Sequence, residues 1–163
     1  NITIAIFHIG EDLKNAIHMQ EKEKGFRNYF SNTKKSKIKI ITRNSKENEL
    51  SNNLESLFIE FSNIKAIFVT TSKVYKIADF IKRKKIKNIK LIGYDLLNEN
   101  INYLNDDVID FLIHQNPKKQ VYLGLTYLVE YFLFDKEIPK KSLLPIDIIT
   151  SENVDTYKDE LNS

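Results

Sequence analysis

No cysteine occurs in these 163 residues, which removes disulfide scaffolds, thiolate zinc sites and cysteine nucleophiles together. Glycine and proline are almost as scarce, at 4 and 3. Collagen-like repeats and low-complexity linkers are therefore excluded. A phosphate cradle made of clustered glycines is excluded with them, and neither GxGxxG nor a Walker A lysine loop is present. Arginine numbers 3 against 22 lysines. Readers of bases and phosphates favour the Arg fork, so its scarcity argues against a nucleic-acid surface in this chain. Ile, Lys and Asn together make up about 38% of the residues, the bias of an AT-rich genome, which explains Lys over Arg. A net charge of +3 and a pI of 8.9 thus say little about an anionic partner. No apolar run approaches the ~20 residues of a membrane-spanning helix. The chain opens on Asn1 and a strand-like run, with neither Met nor a signal peptide. That opening leads us to expect a piece of a longer protein.

What is present is enough for about one domain. Ile2 to Ile9 is β-branched and nearly all apolar, as in a strand buried on both faces. Gly10 breaks it. From His18 to Phe30, charges alternate with Met19, Phe26 and Phe30, which predicts a helix with one buried face. Ile38 to Ile41 reads as a strand, Leu50 to Phe61 as a helix and Ala66 to Val69 as a short buried strand. Val74, Ile77, Ala78 and Ile81 mark a helix ending at Lys84 or Lys85, and Ile89 to Asp95 a strand ending in a turn. Leu96 to Leu104 reads as a loop with one helical turn, and Val108 to Gln115 as a strand. Pro117 sits where a helix tolerates it, at the first turn, ahead of the stripe Val121, Leu125, Leu128, Val129 and Phe132. Leu143 to Ile149 is extended, and its Pro145 points to an edge or crossing position. The alternation predicts an α/β fold, a mostly parallel sheet flanked by helices. Ligands of such sheets sit beyond the carboxyl ends of the strands.

Those ends carry the candidate residues. Asp95 follows a buried strand and Gly93-Tyr94; its carboxylate can accept two hydroxyl hydrogen bonds, as a sugar offers. A turn or helix-cap role competes. Gln115, before Asn116-Pro117, can donate and accept at once, against a bland reading as a solvated loop. Thr70, Thr71 and Ser72 bring hydroxyls to a strand-to-helix junction, where capping alone would explain them. The three His residues, His8, His18 and His114, show no metal-ligand spacing. His8 and His114 fall near strand ends and would reach one cleft; hydrogen-bonded structural roles compete. There is no GxSxG elbow. Glu11 and Asp12 resemble a receiver's acidic cluster, but Thr70-Thr71 stands where the phosphorylated Asp would be. The basic run Lys82 to Lys87 reads as a solvated helix end.

The order of these motifs resembles the sugar-binding part of the lac-repressor (LacI-type) transcription regulators, a core shared with type I periplasmic sugar-binding proteins. The residues that carry it are Lys24-Gly25-Phe26, Ala66 to Val69 before a helix, Ile92-Gly93-Tyr94-Asp95, Phe111 to Pro117 with Gly124, and Leu143-Leu144-Pro145-Ile146. The resemblance runs from Ile2 to about Tyr157. It implies a longer two-lobed module, one lobe of a type I periplasmic-binding-protein-like fold being seen here in truncated form. Residues 1–163 would be its C-terminal part, 117–134 a helix of the partner lobe, and the DNA-reading domain would be absent. It further implies ligand contacts from Asp95 and Gln115. The family's Asn-Asp pair falls on Thr71-Ser72, and its first-helix Arg on Lys22; Asn15 and His18 would compensate from the loop.

The resulting expectation is a non-catalytic, ligand-sensing domain of a bacterial cytoplasmic regulator. It needs no cofactor or metal and holds a sugar or similar polar effector between lobes. A periplasmic sugar-binding protein feeding a transporter is the alternative, and an α/β enzyme a third. The resemblance also implies a homodimer through Tyr75, Lys76, Asp79, Phe80 and Tyr103, with Ile101 beside them; packing of Tyr75 and Phe80 into the chain's own core competes. DNA would be reached only through the absent domain. The stripe on 117–134 is expected to fold back on the lobe or to meet a second copy, since exposing it is costly.

Overall fold

The computed structural model describes residues 2–10, 16–31 and 38–157. Six strands form one sheet in the order β2-β1-β3-β4-β5-β6. They are β1 (Ile2–Ile9), β2 (Ile38–Ser45), β3 (Ile64–Val69), β4 (Lys90–Tyr94), β5 (Phe111–His114) and β6 (Asp147–Ile149). The first five pair in parallel, with Ile4 beside Ile40 and Ile6 beside Phe68, and β6 joins the edge antiparallel to β5. That edge place suits the Pro145 just before it. The helices are α1 (Ile17–Ser31), α2 (Leu50–Glu60), α3 (Val74–Arg83), α4 (Asn98–Asn105) and α5 (Pro117–Phe134).

Strand alternation sorts the core into two faces. Ala5, Phe7 and Ile9 of β1 turn one way, with Ile67, Val69, Leu91, Leu112 and Ile149, and meet Leu54 and Leu57 of α2, Ile77 and Ile81 of α3 and Leu104 of α4. Ile6, Phe68 and Tyr94 turn the other way and meet Phe26 of α1, whose ring stacks on Phe68 at 4.8 Å. Gly93 lies where α3 crosses β4 most closely. A Cβ there would stand 2.4 Å from that of Val74, so only glycine admits this approach.

The elements match the expected order, with differences at their ends. β2 runs on to Ser45, because Thr42 to Ser45 keep pairing in register with Ile6 to Ile9 of β1. The strand expected from Val108 shrinks to Phe111–His114. Asp107 has a left-handed φ of 56°, and the amides of Val108 and Ile109 bond back to Tyr103, so 107–109 form a turn. The segment read as a loop is the eight-residue α4, built on Ile101 and Leu104 at helical spacing.

Helix α5 forms over the expected 117–134, but its apolar stripe is left open. Asn116, itself left-handed at φ 52°, accepts from the Lys119 amide as a cap, and Pro117 takes the first turn. No residue of α5 is buried. Leu125 is 59% and Val129 50% exposed. The helix does not fold back onto this chain's sheet.

Candidate functional site

Four strand ends and one helix converge at the carboxyl edge. The chain turns sharply after β4 because Asp95 adopts φ 68°, a left-handed value that Asp tolerates better than most residues. Its amide donates to the Ile113 carbonyl of β5 at 3.1 Å. Its carboxylate thereby faces the end of β5, where Gln115 Nε2 donates to Asp95 Oδ1 at 3.0 Å. Lys22 reaches in from α1. Its Nζ donates to the Thr70 carbonyl at 3.1 Å and stands 3.5 Å above the Tyr94 ring. Partial burial lowers the Lys22 pKa, and the charge of Asp95 opposes that shift. The Tyr94 hydroxyl is pushed up to about 12, by burial first and by the neighbouring Asp95 charge second.

Chemically, the edge offers a carboxylate acceptor, an amide that donates and accepts, an ammonium donor and an aromatic face. Such a set suits a neutral polyhydroxylated molecule. Lys22 and Tyr94 also line a largely apolar hollow of about 550 Å³ with Gly25, Phe26, Phe68 and Ile92. Gln115 lines another of about 380 Å³ with Gly124, Tyr127 and Leu144. Among the described residues no group of three acidic or His side chains could hold a metal ion. No helix among them is long and apolar enough to cross a membrane.

Beneath this edge lies a polar network. His8, 6% exposed, sets Nδ1 2.7 Å from Thr70 Oγ1 and Nε2 2.7 Å from Glu23 Oε2. Arg27 Nε and Thr42 Oγ1 both donate to Glu23 Oε1, at 2.7 and 2.6 Å. Burial pushes the Glu23 carboxyl up, but hydrogen bonds from Thr42, Arg27 and His8 outweigh it and hold the pKa below the usual range. These bonds tie α1, and with it Lys22, to the ends of β1, β2 and β3.

The residues singled out in the sequence divide as follows. Asp95, Gln115 and Lys22 come together. Thr71 and Ser72 stand one and two residues beyond the Thr70 carbonyl that holds Lys22. The Thr71 hydroxyl accepts from the Lys73 amide at 3.5 Å, and the Ser72 carbonyl accepts from Asn100 at 2.8 Å. Both therefore serve the start of α3 in this structure. His18 is exposed on the first turn of α1. Asn15, Glu11 and Asp12 lie outside the described residues. His8 and His114 do not share a cleft: β3 and β4 separate their strands, and His114 stands edge-on to Tyr157. Two contributors escaped the sequence reading. Tyr94 looked like part of a turn but is the platform under Lys22. Asn100 was hidden by reading α4 as a loop; its place beside Ile101 and Leu104 on one helical face would have revealed it.

On the far side, α2, α3 and α4 enclose a groove of about 630 Å³ lined by Tyr75, Lys76, Asp79, Phe80 and Tyr103 among others. Phe80 and Ile101 belong to the core, at 3% and 7% exposure, and the Phe80 ring stacks on Phe58. Tyr75, Lys76, Asp79 and Tyr103 are half-buried at the surface. Glu47 bridges Lys73 and Lys76, and their hydrogen bonds hold its carboxyl down at about 2. Asp79 pairs with Arg83 at 2.7 Å, and Lys82 with Asp106 at 2.8 Å. The basic run is thus neutralised in part by neighbouring acids.

Residues 2–136 match the family model of the periplasmic binding protein domain. No protein among the curated sequences matches the chain. Among solved structures, a protein of Bacteroides fragilis described as a LacI transcriptional regulator is 30% identical, with a TM-score of 0.86. The alignment covers 96% of this chain and 55% of that one. An ABC transporter solute-binding protein of Agrobacterium vitis, bound to α-D-tagatopyranose, is 18% identical with a TM-score of 0.78, covering 94% of this chain and 51% of that one. A periplasmic solute-binding protein of Actinobacillus succinogenes with bound D-allose is 19% identical with a TM-score of 0.77, covering 95% and 54%. The chain spans about half the length of these structures, and the last two likenesses speak for the fold alone.

Proposed function

We propose, since the chain belongs to the periplasmic binding protein domain family, that it is the C-terminal part of the ligand-sensing domain of a LacI-type transcription regulator. On this reading a sugar, or a similar small polar effector, binds between two lobes and shifts their closure, with no chemistry done on it. One observation carries the reading: Asp95 and Gln115, from different strands, are hydrogen-bonded at 3.0 Å at the carboxyl edge, with Lys22 over Tyr94 beside them. Asp95 would take two ligand hydroxyls and Gln115 a third, with Lys22, Thr71 and Ser72 as further donors and His18 and Asn15 at the rim. Ligand binding would alter DNA affinity through a coupling of about 1–3 kcal/mol, in the usual range for allostery. The 30% identity to the Bacteroides fragilis protein supports a cytoplasmic regulator over a transport protein.

In the same reading, residues 117–134 are a helix of the partner lobe, which accounts for the exposure of Leu125 and Val129 on this chain. The α2-α3-α4 groove would meet its own copy in a two-fold homodimer, with Tyr75, Lys76, Asp79 and Tyr103 at the contact. Phe80, being buried, would support that surface from below. The second reading, a transporter's sugar-binding protein, draws on the solute-binding proteins among the structural likenesses. A thermal-shift screen of monosaccharides on the intact protein, followed by DNA binding with and without the hit, tests both. A ligand present at 100 times Kd should add about 2.7 kcal/mol of stability. Sugar binding with no DNA affinity at any ligand concentration would favour the transporter protein. No stabilisation by any sugar would remove both.

A further inference from the structure

Asn100 is fully buried, at 0% exposure, on the first turn of α4. A buried primary amide is costly unless its donors and acceptor are matched, and here every group is engaged. Its Oδ1 accepts from the Tyr75 amide at 3.0 Å. Its Nδ2 stands 2.8 Å from the Ser72 carbonyl, 3.1 Å from that of Tyr94 and 3.0 Å from that of Asp95. One side chain thus ties the start of α3, the junction after β3 and the turn after β4.

The need for it can be traced on both sides. The first amides of a helix lack intrahelical partners, and the N-cap of α3, Lys73, makes no side-chain cap bond. Asn100 supplies that cap from another helix. On the other side, Asp95 is left-handed at φ 68°, a conformation that persists in a non-glycine residue only when its surroundings hold it. The Asp95 amide is held by the Ile113 carbonyl, and the Asp95 carbonyl by Asn100. The peptide is clamped from both ends, and the direction of the carboxylate follows from that clamp.

We propose that Asn100 is a positioning residue for the ligand edge: it acts through Asp95, holding that turn so that the carboxylate meets Gln115. It touches no ligand itself. The inference rests on the proposed function for its consequence in binding, but the Asp95–Gln115 contact can be read without any ligand.

The experiment uses the intact protein, isotope-labelled, and follows the side-chain amide resonances of Gln115. Asp95→Ala defines where they move when the contact is lost. Asn100→Ala should move them towards that position, whereas Leu57→Ala, a core truncation under α2, should leave them in place. If Asn100→Ala does not fold, Asn100→Asp keeps the acceptor for Tyr75 and turns a repelling oxygen on the three carbonyls; the same displacement is expected. D-allose, D-arabinose and D-tagatose then serve as binding probes. Affinity for whichever binds should fall about tenfold in the Asn100 variant, the scale of one lost hydrogen bond to a charged group. It should fall no further when Asn100→Ala is added to Asp95→Ala. Loss of stability with unmoved Gln115 resonances and unchanged sugar affinity would overturn the proposal and leave Asn100 a purely structural residue. If none of the three sugars binds the unmodified protein, the sugar reading suffers, while the Gln115 resonances still decide for or against Asn100.

Discussion

Helices α3 and α5 are both rich in apolar residues, yet they meet opposite fates. In α3, Val74, Ile77, Ala78, Phe80 and Ile81 are all buried. In α5, none of eighteen residues is buried, and Phe132 and Leu133 are 75% and 71% exposed. The contrast does not come from helix-forming power, since both helices form. α3 leads from β3 to β4, and a parallel crossover must lie back on the sheet it connects. α5 leaves β5 through the left-handed Asn116, and the chain returns to the sheet only at Asp147. A helix apolar on most of its circumference is ordinarily a buried one. Helix α5 has that apolar composition, yet among the described residues none packs over it closely enough to bury a single side chain.

Truncating each helix sharpens that contrast most. Ile77→Ala should cost about 2–5 kcal/mol in urea unfolding of this chain, as large-to-small core changes do. Leu125→Ala should stay within about 0.5 kcal/mol here, as exposed substitutions do, yet cost about 2–5 kcal/mol in the intact protein if a second lobe covers α5. Equal small effects of Leu125→Ala in both settings would break the partner-lobe reading.

At the boundary between the packed body and the open arm stand Asp95 and Gln115. Asp95→Ala in the intact protein should weaken sugar binding by about 2–4 kcal/mol in titration calorimetry, through two lost hydroxyl contacts. Thermal stability should fall by about 1 kcal/mol, the cost of alanine at the left-handed φ of 68°, because the carboxylate itself bonds only Gln115 among the described side chains. A large drop in melting temperature with unchanged affinity would make Asp95 a turn residue and nothing more.

Inside the body, Gly93→Ala should destabilise by about 1–3 kcal/mol, as overpacking does. Combining it with Val74→Gly, which removes Cβ and both Cγ atoms, should cost less than the sum of the two, because Val74 supplies the clashing atoms. Additivity in the double variant would place the strain elsewhere.

The effect confined to the narrowest range of conditions is alkaline. Tyr94 keeps its proton to about 12 in the folded chain, against an ordinary value of 10. The folded state therefore holds more protons than the unfolded state between those values. This contribution is complete below pH 10 and is lost as the pH rises towards 12. Tyr94→Phe should flatten that part of the stability curve; an unchanged alkaline slope would show that Tyr94 is not the group responsible.

Much of this was legible in the residues. The helical stripe of α3, the nearly all-apolar run of β1 and the Pro117 start of α5 each depend on neighbours in the chain, and each appears where its spacing put it. Asp95 and Gln115 were visible because strand ends in a parallel sheet face one edge. α4 was missed because Asn98, Asn100, Asn102 and Asn105 dilute its stripe to Ile101 and Leu104, and composition then resembles a loop. Asn100 went with it, since its buried place shows only once Ile101 and Leu104 are read as one helical face.

By itself, then, the sequence determined the order and kind of elements, the two faces of each strand and the short list of polar residues at the carboxyl edge. Those properties follow from periodicities of 2 and 3.6 residues, which are local. Only the tertiary structure decided which of those residues meet. His8 finds Glu23 and Thr70 rather than His114 because β3 lies beside β1, and β4 beside β3. Asn100 caps α3 rather than its own helix because α3 and α4 start side by side at the same edge. Such pairings depend on strand order and on groups 15, 25 and 62 residues apart, and no local pattern encodes them.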